Sequence, residues 1–483
     1  MSNNILNLQP TNVWKFFYEI CQIPRPSKKE DKIMAYLMEK GKSFGLETLQ
    51  DEAGNVLIRK PATKGKEHIT PIVFQSHADM VCESNSAFDF ENNAIEPWID
   101  GEWVRAKGTT LGADDGIGMA IALALLEDKT IEHGAIECLF TVDEESGMTG
   151  AFGLKSGFMN GKMLLNLDSE DEGQFFIGCA GGKSTTITIE NKRRSIPKEL
   201  TNAFEIKVKG LKGGHSGDDI NKGRGNAIKI LNRVLYYALY HYNVALSTIN
   251  GGKLHNAIAR EASAIVLVED KFKSLLQAYV KEFNQIVKNE YFTTDSGVEI
   301  TISEVARPKD ILDDYIASDL IDALYACPHG VIAMAQDIEN FVETSTNLAS
   351  IKMEGNQIKI ITSQRSSVES KKEDVGNMVE AVFGMIDADI ESSDGYPGWT
   401  PNPKSVVLDT LRQAYKNLYQ KEPAVLAIHA GLECGLISEK YPDMDMISYG
   451  PTLRDVHSPD ERLLIVTVQQ VWDLTKEFLK ILK

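Results

Sequence analysis

The chain has 483 residues, 43% hydrophobic and 25% charged, which is ordinary globular composition for two domains or three. Its formal net charge is −18 and no Lys/Arg stripe stands out, which argues against a nucleic-acid partner and for solubility. The six cysteines are scattered with no CxxC pair, so no thiolate zinc site, redox motif or disulfide framework is indicated.

The opening MSNNILNLQPTNVWKFF has neither a basic n-region nor a small-residue cleavage site, and the longest apolar run, around 117–126, is far short of a membrane span. A cytoplasmic protein with no membrane partner is expected. Helix signals at 14–20 and 28–44 precede a short apolar strand, 71–76, that ends at His77. An Ala/Leu-rich helix at 116–128 and strands at 135–142 and 163–167 follow. This alternation argues for an α/β sheet with helices on its faces. Ligands of such sheets collect beyond the carboxyl ends of the strands.

From about 182 to 397 the pattern reads as an internal repeat of two βαββα units. The first takes strand 203–208, helix 227–240, strands 245–259 and 263–269, and helix 271–287. The second takes strand 297–304, helix 311–325, strands 341–351 and 358–365, and helix 371–386. Turn-rich SSDGYPGWTPNP (392–403) breaks the pattern. Helix 405–419, strands 424–429 and 444–449, and helix 460–482 then restore the α/β signal. The expected layout is a catalytic domain, 1–185 and 400–483, interrupted by an inserted domain, 186–399, with repeat units of about 200–290 and 295–390.

Acidic and imidazole groups gather at the strand ends: His77 in VFQSHADM, Asp114 and Asp115 in TTLGADDGIG, Glu144 and Glu145 after ECLFTVD, Asp168 after MLLNL, and His457 in GPTLRDVHSPDER. Taken singly, each reads as a cap, a turn residue or a surface charge. Converging on one sheet edge they would repel, and a divalent cation removes that repulsion. His with carboxylates suits zinc, cobalt or manganese. A shared carboxylate permits the two-ion spacing of about 3.5–4 Å common in metallohydrolases.

SHADM, GTTLGADDGIGMA, TVDEESGMTGA, LLNLDSED, GGHSG and the late His457 together resemble the di-zinc aminopeptidase, carboxypeptidase and aminoacylase superfamily, and within it the aminoacyl-histidine (Xaa-His) dipeptidases, also called cytosolic non-specific dipeptidases or bacterial carnosinases. The resemblance implies an α/β catalytic domain, with a mixed sheet flanked by helices, interrupted by an α+β lid of two ferredoxin-like βαββα units. It implies two zinc-type ions, with His77 and Asp168 on one, Glu145 and His457 on the other, and Asp114 bridging. It makes Asp79 the residue that orients His77. Glu144 becomes the general base, taking a proton from water and passing it to the leaving amine.

The same resemblance assigns His215 to the oxyanion, Arg365 to the substrate carboxylate, and Asn256, ahead of Asn347, and Gly431 to substrate contact. It leaves Glu433 without a fixed role. The implied substrate is an unblocked dipeptide, Xaa-His and β-alanyl-histidine included. A tripeptidase, an N-acyl amino acid deacylase and a non-catalytic peptide binder are the alternatives. The inserted domain is about twice the usual length for the superfamily, in which relatives with one lid unit dimerise through it and take the His from the partner. A doubled lid would supply His215 in cis, and a homodimer stays open.

Two tempting motifs fail. GCAGGKST (178–185) places Ile177 where a phosphate loop needs its first glycine, and a strand-like stretch follows it where a helix is required. GADDGIG would set two aspartates against a pyrophosphate. HExxH and GxSxG do not occur.

Overall fold

A computed structural model describes residues 4–336, 338–402 and 404–483. The first three residues of the amino-terminal segment, and Pro403 at the end of the expected turn-rich stretch, lie outside the described residues. The chain forms two compact units: Met1–Cys179 with Trp399–Ala427 and Leu432–Lys483, and Ala180–Gly398 with Ile428–Gly431. The first boundary, expected at 185/186, falls at 179/180, because Gly181–Glu190 is one uninterrupted strand of the second unit's sheet. Residues 428–431, expected in the catalytic domain, cluster with the second unit.

Numbering only the strands of the two large sheets, the first unit opens with β1 (Glu47–Gln50), β2 (Val56–Lys60), β3 (Ile72–His77), β4 (Ile136–Thr141), β5 (Met163–Asn166) and β6 (Gln174–Cys179). The second carries β7 (Gly181–Glu190), β8 (Asn202–Lys209), β9 (Ala245–Gly251), β10 (Ala262–Val268), β11 (Glu299–Glu304), β12 (Val342–Glu354), β13 (Gln357–Ser366) and β14 (Ala388–Ser392). The chain then returns to the first sheet with β15 (Ala424–Ile428) and β16 (Asp445–Ser448).

The first sheet runs β1-β2-β4-β3-β5-β16-β6-β15. Its centre, β4, β3, β5 and β16, is parallel, and antiparallel strands flank it. β3 and β4 are buried at every residue, as central parallel strands covered on both faces should be. In register, His77 lies opposite Thr141 and Gln75 opposite Asn166, so the turns after β3, β4 and β5 leave from one sheet edge. Helix Ala113–Glu127 is buried from Asp115 through Leu126, which marks a core helix. Asp114 and Asp115 have non-helical dihedrals, so they belong to the lead-in and not to the helical turns.

The second sheet runs β11-β8-β10-β9-β12-β13-β7-β14. Two ferredoxin-like units, nested and not tandem, supply eight of its nine strands; the ninth, Gly330–Met334, pairs antiparallel with β12 off this path. In one, β8, helix Ala227–Tyr242, β9, β10, helix Asp270–Glu290 and β11 follow in sequence, with strand order fourth, first, third, second. The other has the same order, but its first strand is β7, and its remainder is helix Asp314–Ala326, β12, β13, helix Glu369–Phe383 and β14. The first unit is therefore inserted into the second. At the insertion point Arg193–Arg194 pairs antiparallel with Ile311–Leu312, and Arg193 Nε donates to Asp310 Oδ1 at 2.8 Å.

Two expectations are corrected here. Strand 297–304, expected to open the second repeat, is β11, which closes the first by pairing with β8 from Phe204↔Glu304 to Lys209↔Glu299. Strand 245–259 breaks after Gly251, because Gly252 takes φ +68°, a left-handed conformation that glycine tolerates. Ala257–Ile258 instead pairs with Gly214–His215, which fixes the loop carrying His215. Among the described residues no helix is long and apolar enough to cross a membrane.

Candidate metal centre

His77 closes β3, buried to 1% exposure. Its Nε2 lies 3.0 Å from Asp114 Oδ1 and 3.5 Å from Asp168 Oδ1. The other Asp114 oxygen, Oδ2, lies 3.2 Å from His457 Nε2, which is 3.0 Å from Glu145 Oε2. Two potential ligand groups result, His77–Asp114–Asp168 and Asp114–Glu145–His457, each with ligand atoms within 4.8 Å of one another. Asp114 is common to both. Glu144 falls within the same distance of His77 and Glu145. Glu145 Oε1 is buried without a hydrogen-bond partner, as an oxygen awaiting a cation would be. The acidic and imidazole donor set fits a pair of divalent ions of the zinc, cobalt or manganese type.

Groups behind the ligands hold them in place. Asp79, fully buried, accepts the backbone N–H of Glu144 at 3.0 Å and of Glu145 at 3.1 Å, and the Ser27 hydroxyl at 2.7 Å. Its Oδ1 is 3.4 Å from His77 Nδ1. One carboxylate thus fixes the turn that carries two acids and lies beside the His77 ring. Glu461 accepts four consecutive backbone N–H groups, Leu111 through Asp114. Buried Arg25 donates to the carbonyls of Ala78, Asp79 and Gly112. Below His77 and Asp168, the Asn166 amide donates to Gln75 Oε1 at 2.6 Å. The Gln75 amide donates in turn to Glu433 Oε2 at 2.7 Å.

Sequence reading missed Glu461 and Arg25 as site residues. The signal for Glu461 was its place four residues after His457 in the same loop; Arg25 offered none. Glu433, left without a role, is buried behind β3 and β4, held by Gln75 and by the Thr141 hydroxyl at 2.6 Å. Asp115 is absent from both ligand groups: its Oδ1 accepts the Gly118 N–H at 3.1 Å, a helix cap.

The electrostatics are those of crowded acids sharing two imidazoles. Burial pushes the Glu144 carboxyl well above its ordinary range; His77 opposes this, and Glu433, Glu145 and Asp114 add to it. Asp168 is raised in the same way, by burial first. Hydrogen bonds to Asp114 and Glu145 push His457 up to about 11. Burial opposes protonation of His77, yet Asp168, Asp114 and Asp79 hold it well above its usual value.

The remaining candidates lie in the second unit. His215 Nε2 is 3.3 Å from Arg365 Nη2, and Arg365 ends β13, 8% exposed. Asn256 and Arg365 line one cavity. Asn347 does not line it; fully buried, it donates to the Ala257 carbonyl at 2.9 Å. The space beside Gly431 is taken by Tyr396, whose ring Cε2 would lie 2.8 Å from a Cβ there.

An α/β unit that gathers two acidic–imidazole groups around one shared aspartate is the framework of a two-metal hydrolase. Residues 73–482 match the peptidase family M20/M25/M40, and the chain belongs to that family; it is a peptide-bond hydrolase. It is 41% identical, over 99% of both chains, to the cytosol non-specific dipeptidase of Escherichia coli (strain K12). The aminoacylhistidine dipeptidase of Vibrio alginolyticus is 42% identical with a TM-score of 0.94, over 100% of this chain and 99% of that one. The aminopeptidase PepT of Bacillus cereus ATCC 10987 shares the fold at 17% identity and a TM-score of 0.59, over 98% of both.

Proposed function

We propose that this peptidase hydrolyses unblocked dipeptides, Xaa-His and β-alanyl-histidine among them, with two zinc ions that cobalt or manganese can replace. The observation that carries the reading is Asp114, one of whose oxygens faces His77 at 3.0 Å and the other His457 at 3.2 Å. His77 and Asp168 hold one ion, Glu145 and His457 the other, and Asp114 both. A divalent pair held there would supply polarisation of the scissile carbonyl and a lowered pKa for water.

Residues of the chain do the rest. Glu144 takes the proton of the attacking water and returns it to the leaving amine nitrogen. Asp79 keeps His77 and the Glu144–Glu145 turn in register with the reacting atoms. His215 donates to the developing oxyanion, and the Arg365 fork pairs with the free C-terminal carboxylate. Asn256 hydrogen-bonds the substrate backbone, and Gly431 acts on the substrate only through Tyr396, whose ring fills the space beside it. The second unit supplies His215 in cis. The names of the two near relatives support the dipeptide class, and that of the Escherichia coli relative supports a cytoplasmic location.

The test is a substrate panel on chelator-treated protein with metals added back. The panel holds carnosine, other Xaa-His dipeptides, a tripeptide and an N-acetyl amino acid. The expected result is no hydrolysis without metal, and preference for the dipeptides once zinc, cobalt or manganese is restored. Preference for the N-acetyl amino acid or the tripeptide would overturn the substrate reading. Mixing inactive His215→Ala with inactive Glu144→Ala protein tests the cis assignment, since regained activity would mean that His215 serves a neighbouring chain.

A further inference from the structure

The second unit contains a cavity of about 200 Å³ lined by Arg365, Tyr396, Asn256, His255, Lys183 and Gln364, with glycines and serines between them. Among the described residues that line it there is no carboxylate, so its chemistry suits an anionic group. The Arg365 guanidinium is engaged at all three nitrogens. Nη1 donates to the Tyr396 hydroxyl at 2.9 Å, Nη2 meets His215 Nε2 at 3.3 Å, and Nε lies 3.4 Å from Ser216 Oγ. A guanidinium carries five N–H groups in a rigid plane, so fixing one edge aims the others.

Tyr396 is itself held firmly. Its N–H donates to the Gly182 carbonyl at 2.9 Å, and its carbonyl accepts from Gly182 N–H at 3.1 Å and from buried Lys372 Nζ at 2.8 Å. Gly182 is also the cross-strand neighbour of Arg365. A Cβ at Gly182 would lie 2.6 Å from the phenol Cζ and Oη. One at Gly181 would lie 2.4 Å from the Gly398 nitrogen, and one at Gly431 2.8 Å from the ring. Gly181 and Gly182 of GCAGGKST and Gly431 of IHAGLECG are thus the gaps that the ring and its chain segment fill. No phosphate loop is needed to account for the first pair.

We infer that Tyr396 is a positioning residue whose hydroxyl sets the plane of Arg365, so that the free N–H groups of the fork meet the C-terminal carboxylate of the substrate. This rests on the proposed role of Arg365 as the carboxylate grip. Gly182 and Gly431 act through Tyr396 by giving its ring a seat, and Gly181 by leaving room for the backbone of residues 396–398.

The experiment compares kcat and KM for a dipeptide and its C-terminal amide in wild type, Tyr396→Phe, Gly182→Ala and Arg365→Met, with thermal unfolding of each. Tyr396→Phe should raise KM for the free acid about tenfold, the scale of one hydrogen bond to a charged group, with kcat unchanged. It should leave the amide untouched. Gly182→Ala, by displacing the ring, should do the same. If Arg365→Met abolishes the preference for acid over amide and Tyr396→Phe keeps it, the role of Tyr396 is wrong and that of Arg365 stands. If Arg365→Met keeps the preference, the grip itself is wrong and this inference falls with it. Equal loss of kcat on both substrates, or a lowered unfolding temperature that accounts for the loss, would reduce Tyr396 to a structural part and overturn the proposal.

Discussion

Glu461 accepts the backbone N–H of Asp114 at 3.3 Å. The same carboxylate takes the N–H groups of Leu111, Gly112 and Ala113 at 2.7, 2.9 and 2.8 Å. Because Glu461 lies four residues beyond His457, it ties the loop of one candidate ligand to the loop of another across 347 residues of sequence. Glu461→Gln keeps the size but puts an NH₂ against N–H donors. Metal affinity should fall about 10–100-fold, as for groups that orient ligands, with activity partly recovered at high metal concentration. A calorimetric metal titration checks this, and unchanged affinity would contradict it.

Asp79 presents a second lever. Asp79→Ala strands two backbone N–H groups in the buried Glu144–Glu145 turn, each costing about 1–3 kcal/mol. The unfolding temperature should drop, and activity should drop further than metal content, because the proposed base and one ligand share that turn. Activity that simply tracks metal content would show that Asp79 serves only His77.

The residues that gather in the candidate metal centre stand out in the sequence where chemistry and local pattern coincide. His77 ends, and Asp168 follows, short apolar strands, and a strand end is a local property. Arg25 was not legible, and Glu461 only by its nearness to His457, since their roles consist of contacts with segments 53–87 and 347–350 residues away. The nesting of the second unit was hidden for the same reason. Nothing local says that 299–304 pairs with β8, or that β7 waits more than 150 residues for β13. β1 and β14 escaped notice because ETLQ and ADIES are short, mostly polar edge strands with no buried face.

Asn226 joins the two nested halves. Its side chain caps helix Ala227–Tyr242 through Ile228 N at 2.9 Å and Lys229 N at 3.2 Å, and donates to the Leu348 carbonyl of β12 at 2.8 Å. Asn226→Ala should cost about 2–4 kcal/mol, a cap together with a stranded buried carbonyl. Denaturant unfolding should show this loss with metal content intact. A change below about 0.5 kcal/mol, the scale of an ordinary surface substitution, would contradict the role.

His429 gives the second unit a pH dependence. It is 6% exposed, 2.7 Å from the Ser345 hydroxyl, and burial, then the Arg365 charge, push it down to about 3. The unfolded chain takes up this proton below about 6.5, while the folded chain does not. Its contribution to stability is therefore complete above pH 6.5 and is lost as pH falls toward 3, by at most about 1.4 kcal/mol per unit. His429→Asn should flatten the fall of the unfolding midpoint between pH 6.5 and 5. Parallel slopes would rule this out.

The proposed sharing of Asp114 between two ions is tested most directly by counting metal against activity. Chelated protein is titrated with zinc while bound metal and dipeptide hydrolysis are followed together, in wild type and in Asp114→Ala. The account predicts that activity climbs until two ions are bound per chain, and that Asp114→Ala weakens both. Full activity at one ion per chain, or an Asp114→Ala protein that still fills both positions and works, would contradict it.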